Sequence, residues 1–151
     1  MNRPRLGAVE IREARWPEDE PLLRRIRTEV FVREQDVPED LEWDGLDADS
    51  RHLLALVDRE PVGTGRLAQS GKIGRMAVLS THRGRGIGDR LLAGLIRLAA
   101  DSGHQRTYLH AQVHATDFYA RQGFRAEGET FMEAGIAHRR MVLDLAQRVS
   151  G

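Results

Sequence analysis

The densest chemical signal in the chain is Arg83-Gly84-Arg85-Gly86-Ile87-Gly88. Its three glycines let the backbone approach a ligand closely and take up conformations that other residues resist. A strand is expected to end near Val78, just before this run, and a long helix to begin at its end. Free N–H groups at a helix start, together with the helix dipole, form an anion site. Arg83 and Arg85 add two planar guanidinium forks, the side-chain geometry that suits phosphate. A pyrophosphate is the guest these residues fit. The P-loop alternative needs Gly-Lys followed by Ser or Thr, and no such lysine is present. The dinucleotide pattern Gly-x-Gly-x-x-Gly is met only in part, because position 89 is Asp, and it calls for the first strand of a parallel unit. A glycine-rich connector that binds nothing is the bland alternative.

Two further groups of residues bear on chemistry. Between positions 34 and 49 stand eight acids (Glu34, Asp36, Glu39, Asp40, Glu42, Asp44, Asp47, Asp49) and no base. A solvated loop explains them simply; the functional reading is a negative rim that concentrates a cationic amine, with Trp43 stacking on it. His110 and Gln112, two apart on a strand, face the same side and can face a cleft. His110 and His114 have the spacing of a helical metal pair, but one lies on a strand and the other at a helix start, and no Glu or Cys completes a set, so no metal is expected.

The elements that position these residues follow from periodicity and turn chemistry. Residues 8–15 alternate weakly as a first strand. Pro17 suits the first position of a helix, Glu18, Asp19 and Glu20 suit its positive end, and Leu22, Leu23, Ile26, Val30 and Phe31 recur at helical spacing. The segment after Arg33, with Pro38 and Gly45, reads as a loop or short helical turn. Strands over 52–57, 62–69 and 73–78 are joined by turns at 58–61 and 70–71, an antiparallel meander. Residues 86–102 carry the apolar stripe Leu91, Leu92, Leu95, Ile96, Leu98 and Ala99, closed by Gly103. A strand over 107–112, a short helix over 114–122 stopped by Gly123, and a hairpin of 125–134 and 137–145 around Gly135 complete the order β-α-β-β-β-α-β-α-β-β. This is an α+β fold with a mixed sheet and helices on its faces.

Arg83-x-x-Gly86-x-Gly88 resembles the Gln/Arg-x-x-Gly-x-Gly/Ala signature of the GNAT superfamily of acyl-CoA-dependent N-acetyltransferases. Ala115-x-x-Phe118-Tyr119-x-x-x-Gly123-Phe124 resembles that family's second signature, one helix and one strand further on, as in the family. Within it, Val30-Phe31-Val32-Arg33-Glu34-Gln35, Leu109-His110-Ala111-Gln112 and Phe131-Met132-Glu133-Ala134-Gly135-Ile136-Ala137-His138 look like the ElaA-like subgroup.

The resemblance implies a mostly antiparallel sheet splayed at an acetyl-CoA site, and acetyl transfer to the amine of a small molecule or peptide. The strand ending Met76-Ala77-Val78 would hold the pantetheine arm, and Arg83, Gly84, Arg85, Gly86, Ile87 and Gly88 the pyrophosphate. Gln112 stands where many members carry Asn and keeps a side-chain amide toward cofactor or acceptor. Tyr119 takes the place of the general acid that protonates the leaving thiolate; its bland reading is a core aromatic beside Phe118. The candidates for the base that deprotonates the amine are Glu34, His138, Glu133 and His110. Trp43 and His110 are expected to touch the acceptor, because the acidic segment sits where the family places acceptor specificity.

Composition bounds the rest. The chain has 151 residues, 40% hydrophobic and 30% charged, with 23 basic against 23 acidic side chains. That suits one domain over 1–151 with a buried core. With no cysteine there is no disulfide, thiolate zinc site or thiol to carry an acyl group, so transfer is expected to be direct, in a ternary complex. Zero net charge and 5% aromatics count against a nucleic-acid partner. The longest apolar run, residues 53–57, is far short of the ~20 that cross a bilayer, and the opening Met1-Asn2-Arg3-Pro4-Arg5 leads into no apolar signal segment. A cytoplasmic protein without a membrane partner is expected, with monomer and homodimer both open. The rival reading is a non-catalytic acyl-CoA-binding sensor or interaction module. Every basic residue but Lys72 is arginine, which codon bias on a solvated surface explains for most positions.

Overall fold

A computed structural model describes residues 8–145; the opening Met1-Asn2-Arg3-Pro4-Arg5 run lies outside them. Among the described residues seven strands form two sheets. Strands β1 (Val9–Glu13), β2 (Arg51–Val57), β3 (Glu60–Leu67) and β4 (Ile73–Val78) lie in that order, and β5 (Arg106–Gln112), β7 (Ile136–Asp144) and β6 (Arg125–Glu133) form the second, with β7 central. Every strand pairing within the sheets is antiparallel. The expected mixed sheet is thus two antiparallel sheets, joined between β4 and β5 by a single parallel bridge, Lys72 to Tyr108. There the Tyr108 N–H and the Thr107 hydroxyl both donate to the Gly71 carbonyl, at 3.3 and 2.6 Å. Beyond the bridge the two strands part.

Among the described residues four α-helices flank the sheets: α1 (Glu20–Arg27), α2 (Glu39–Glu42), α3 (Ile87–Asp101) and α4 (Thr116–Ala120). The continuous apolar run of β2 is explained by burial on both faces. Leu53, Ala55 and Val57 pack with Leu91, Leu92 and Leu95 of α3, whereas Leu54 and Leu56 meet Leu23 and Ile26 of α1. The α3 core continues across the gap to Leu109 and Ala111 of β5 and to Met141 and Leu143 of β7, so one helix clamps both sheets while their edges diverge. It sits close over β3 because Gly65 has no side chain there: a Cβ would stand 2.6 Å from Leu95 Cδ1.

Three boundaries differ from the periodicity reading. Pro17 does not open α1. The Asp19 carboxylate accepts from the Arg15 N–H at 2.8 Å and from Arg12, which closes a turn there, and Pro21 takes the first-turn place instead. The helix then runs on as a π-helix (Thr28–Glu34), which i+3/i+4 spacing does not distinguish. The 58–61 turn shrinks to Asp58-Arg59, both with positive φ (50° and 70°), the two-residue hairpin geometry that matches strand twist. Pro61 therefore lies inside β3, at the register shift opposite Ala55 and Leu56, where a strand tolerates a missing N–H.

Candidate active site

The parting strands enclose a cleft of about 520 Å³. β4 and β5 are each the edge of their own sheet, so alternate backbone N–H and C=O groups face the gap without a ladder partner. Met76 lines it from β4, His110 and Gln112 from β5 and Tyr119 from α4. Glu133 and His138 line it from the hairpin of β6 and β7, and Phe31 and Gln35 from the π-helix and its end. His110 and Gln112 thus share one side, as their spacing predicts. Gln112 donates to the side-chain oxygen of Gln35 at 3.0 Å.

Tyr119 stands edge-on to Phe118 and Phe124, with centroids 5.0 and 6.2 Å away. Its hydroxyl bonds to none of the described residues, and burial pushes its pKa up to about 12. It is therefore a neutral phenol with a free donor at the cleft wall. Phe118 instead seats α4 on the start of α3, since its ring would lie 3.5 Å from a Cβ on Gly88.

Three cleft groups converge. His110 Nδ1 lies 3.0 Å from Glu133 Oε1, and Glu133 Oε2 lies 3.7 Å from His138 Nε2. Burial raises the Glu133 pKa, but the hydrogen bond from His110 and the charges of Lys72, His110 and His138 outweigh it, so the net shift is downward and the group is a carboxylate. A carboxylate only accepts, so His110 donates through Nδ1–H and, when neutral, keeps Nε2 open as a base. His138 donates Nδ1–H to the Ile136 carbonyl at 2.7 Å, is 6% exposed and points Nε2 at Glu133. His110 is the more accessible imidazole, with 23% of its side chain exposed.

The glycine-arginine run does not line this cleft. It follows the far end of β4, at the start of α3. Gly84 and Gly86 have φ of 76° and 79°, values that favour glycine. From position 84 to position 89 no backbone N–H donates within the described residues; Arg90 makes the first ladder bond, to Gly86 at 3.2 Å. Such a row of free donors at a 15-residue helix's start is what a pyrophosphate requires. Ile87 contributes its N–H there, since its side chain is core. On β4 itself, Ala77 is buried against α1 and pairs with Thr64 of β3, whereas Val78 packs on the α3 side and its carbonyl faces away from β3 to Arg83.

Two expectations are corrected. Glu34 does not line the cleft; both of its carboxylate oxygens accept from the Arg83 fork, at 2.7 and 2.8 Å, while Arg83 Nε donates to the Val78 carbonyl at 2.9 Å. So engaged, Glu34 lies outside the cleft, and Arg83 is turned from the cradle. Arg85 is exposed and makes no ion pair among the described residues. Trp43 is likewise not an open stacking platform, because Arg24 and Arg27 sit over its ring at 4.3 and 4.8 Å, away from the cleft.

The acidic segment is a strut rather than a rim. Arg27, 2% exposed, bonds Glu42 and Asp47 at 2.7 Å each. Arg66 binds Asp44 with two nitrogens and Asp47 with one, at 2.8 to 3.0 Å. Arg75, at φ 51°, donates through Nη2 to the Leu41 and Glu42 carbonyls and to Asp44. Its Nε, 3.2 Å from Glu42, is close enough to pair but donates to nothing. Burial pushes the Asp44 and Asp47 pKa values up, but these arginines outweigh it and hold both below the usual range. Sequence spacing did not pair these acids with arginines 15 to 33 positions away. Lys72, Arg75 and Gln35 also line the cleft unanticipated; the one signal for Lys72 was its being the sole lysine. Among the described residues no cluster of His, Cys, Asp and Glu is arranged to hold a metal.

Residues 14–145 match the family described as "Acetyltransferase (GNAT) domain". The chain is 40% identical over 123 residues to a protein of Bacillus subtilis (strain 168) named "Uncharacterized N-acetyltransferase YjcF", a match covering 79% of this chain and 88% of that one. It is similar to the crystal structure of Escherichia coli ElaA, with TM-score 0.80, 29% identity and coverage of 88% and 98%. It is also similar to that of an acyl-CoA N-acyltransferase from Pseudomonas aeruginosa, with TM-score 0.81, 32% identity and coverage of 89% and 99%.

Proposed function

This chain belongs to the GNAT acetyltransferase family, and on that premise we propose that it moves the acetyl group of acetyl-CoA directly onto a primary amine. The observation that carries the reading is the row of six unbonded N–H groups, residues 84–89, at the open end of the splayed strands. These donors fit the pyrophosphate, and the free edge of β4 fits the pantetheine arm. Acetyl-CoA supplies the thioester carbonyl and a thiolate leaving group; the chain holds, orients and moves protons.

His110, held by Glu133, takes the amine proton at Nε2. Tyr119 faces the sulfur as a hydrogen-bond donor. A phenol at about 12 is too weak an acid to hand its proton outright to a thiolate of ordinary pKa about 8.5, so its part is to stabilise the developing charge. Arg83 leaves Glu34 for the phosphates, which also frees the Val78 carbonyl for the pantetheine amides.

Acetyl-CoA at a hundred times its Kd should raise the melting temperature by roughly 5–10 °C, as about 2.7 kcal/mol of linkage implies. With an amine present, thiol should be released. Tyr119→Phe should keep the thermal shift and lower kcat about 10- to 100-fold; loss of both together makes Tyr119 structural. An unchanged melting temperature at millimolar acetyl-CoA rules the cradle out. Glu34→Gln should tighten acetyl-CoA binding a few-fold in calorimetry, because an exposed pair that competes for Arg83 holds it by only about 0.2–1 kcal/mol. Weaker binding would instead make Glu34 part of the donor site.

A further inference from the structure

The charges around the cleft do not cancel group by group. Three carboxylates line it, and each has a cationic or imidazole partner: Glu42 with Arg27, Asp44 with Arg66 and Arg75, Glu133 with His110. Lys72 lines the same cleft and makes no ion pair among the described residues. Its backbone is fixed at the closed end of the splay by the bridge to Tyr108 and by the Ala68 N–H, which donates to its carbonyl at 2.9 Å. Its charge reaches Glu133. The acidic segment, which the sequence offers as a lure for cationic amines, has four of its charges paired with arginines.

We propose that the acceptor is an amine bearing a carboxylate a few bonds away, as in an amino acid, and that Lys72 binds that carboxylate. This rests on the acetyl-transfer reading above and narrows its acceptor. The register supports it. Lys72 lies opposite Tyr108, and His110 stands two residues further along β5, about 7 Å at strand rise. An acceptor with its carboxylate on Lys72 can therefore present its nitrogen to His110. A lysine or arginine paired to a carboxylate is a charge-assisted contact, worth about ten- to a hundredfold in recognition.

The test uses matched acceptors that differ only in the carboxylate: phenylalanine against 2-phenylethylamine, and leucine against isopentylamine. Thiol release should show kcat/KM at least tenfold higher for the amino acid of each pair. Lys72→Met should bring that ratio close to one while acetyl-CoA still raises the melting temperature, and Lys72→Arg should keep most of the preference. Binding gives a readout free of turnover. With CoA present, N-acetylphenylalanine should stabilise the protein more than N-acetyl-2-phenylethylamine, and Lys72→Met should erase the difference. Equal or better use of the plain amines, a preference that survives Lys72→Met, or no binding or reaction of either member overturns the carboxylate site. Turnover of plain amines leaves acetyl transfer itself standing, whereas failure of acetyl-CoA to stabilise the protein removes the broader reading.

Discussion

His110→Ala is expected to lower kcat/KM for amine acetylation by about 10² to 10⁴, the usual contribution of a positioned acid or base, with acetyl-CoA binding unchanged. The Glu133 pKa is displaced downward, so this group remains ionised throughout the neutral range and keeps accepting the His110 N–H there. Glu133→Gln should cost less, because it removes the group that fixes the His110 tautomer while leaving the ring in place. An unchanged kcat/KM in His110→Ala would shift the role to His138, whose Nε2 faces the same carboxylate at 3.7 Å.

The second large effect concerns stability. Arg27→Met should destabilise the protein by about 3 kcal/mol, because it leaves the Glu42 carboxylate, with 3% of its side chain exposed, without its main partner in the interior. For a chain of this size that is a fall of roughly 6–12 °C in melting temperature. The double change Arg27→Met with Glu42→Leu should recover much of the loss, since an apolar pair of similar volume has no charge to strand. If the double variant is no better than the single one, the pair is not what limits stability there. The same cluster sets acid tolerance. Asp44 and Asp47 have lower pKa values in the folded protein than the roughly 3.9 of an unfolded chain. Their contribution is complete above the unfolded value and is lost as pH falls through the folded ones. Asp44→Asn should thus be less stable at neutral pH and lose less on acidification below about pH 4, which denaturant melts at pH 7 and pH 3 would measure.

Much of this molecule follows from local order in the chain. The meander, the α3 stripe and the β6–β7 hairpin obey periods of 2 and 3.6 and turn chemistry that operates within a few residues, so their positions are legible. The glycine run before α3 is legible for the same reason: glycines at positive φ and a helix start are local events. That His110 and Gln112 face one side needs only strand alternation. Where α1 begins was not legible, because Asp19 capping a turn competes with Pro17 as a helix opener, and both readings satisfy the same composition.

What the tertiary structure alone decided is which charges meet. Eight acids in one segment look like a solvent-facing field until the fold brings Arg27, Arg66 and Arg75 against three of them and Arg83 against a fourth. Coulomb attraction and desolvation depend on distance and burial, neither of which is set by neighbours in sequence, so a run of like charges does not reveal whether it is neutralised. The same holds for Lys72: its place in the cleft without an ion pair among the described residues, and the pairing of His110 with Glu133 across 23 positions, exist only once two sheet edges part around a shared helix.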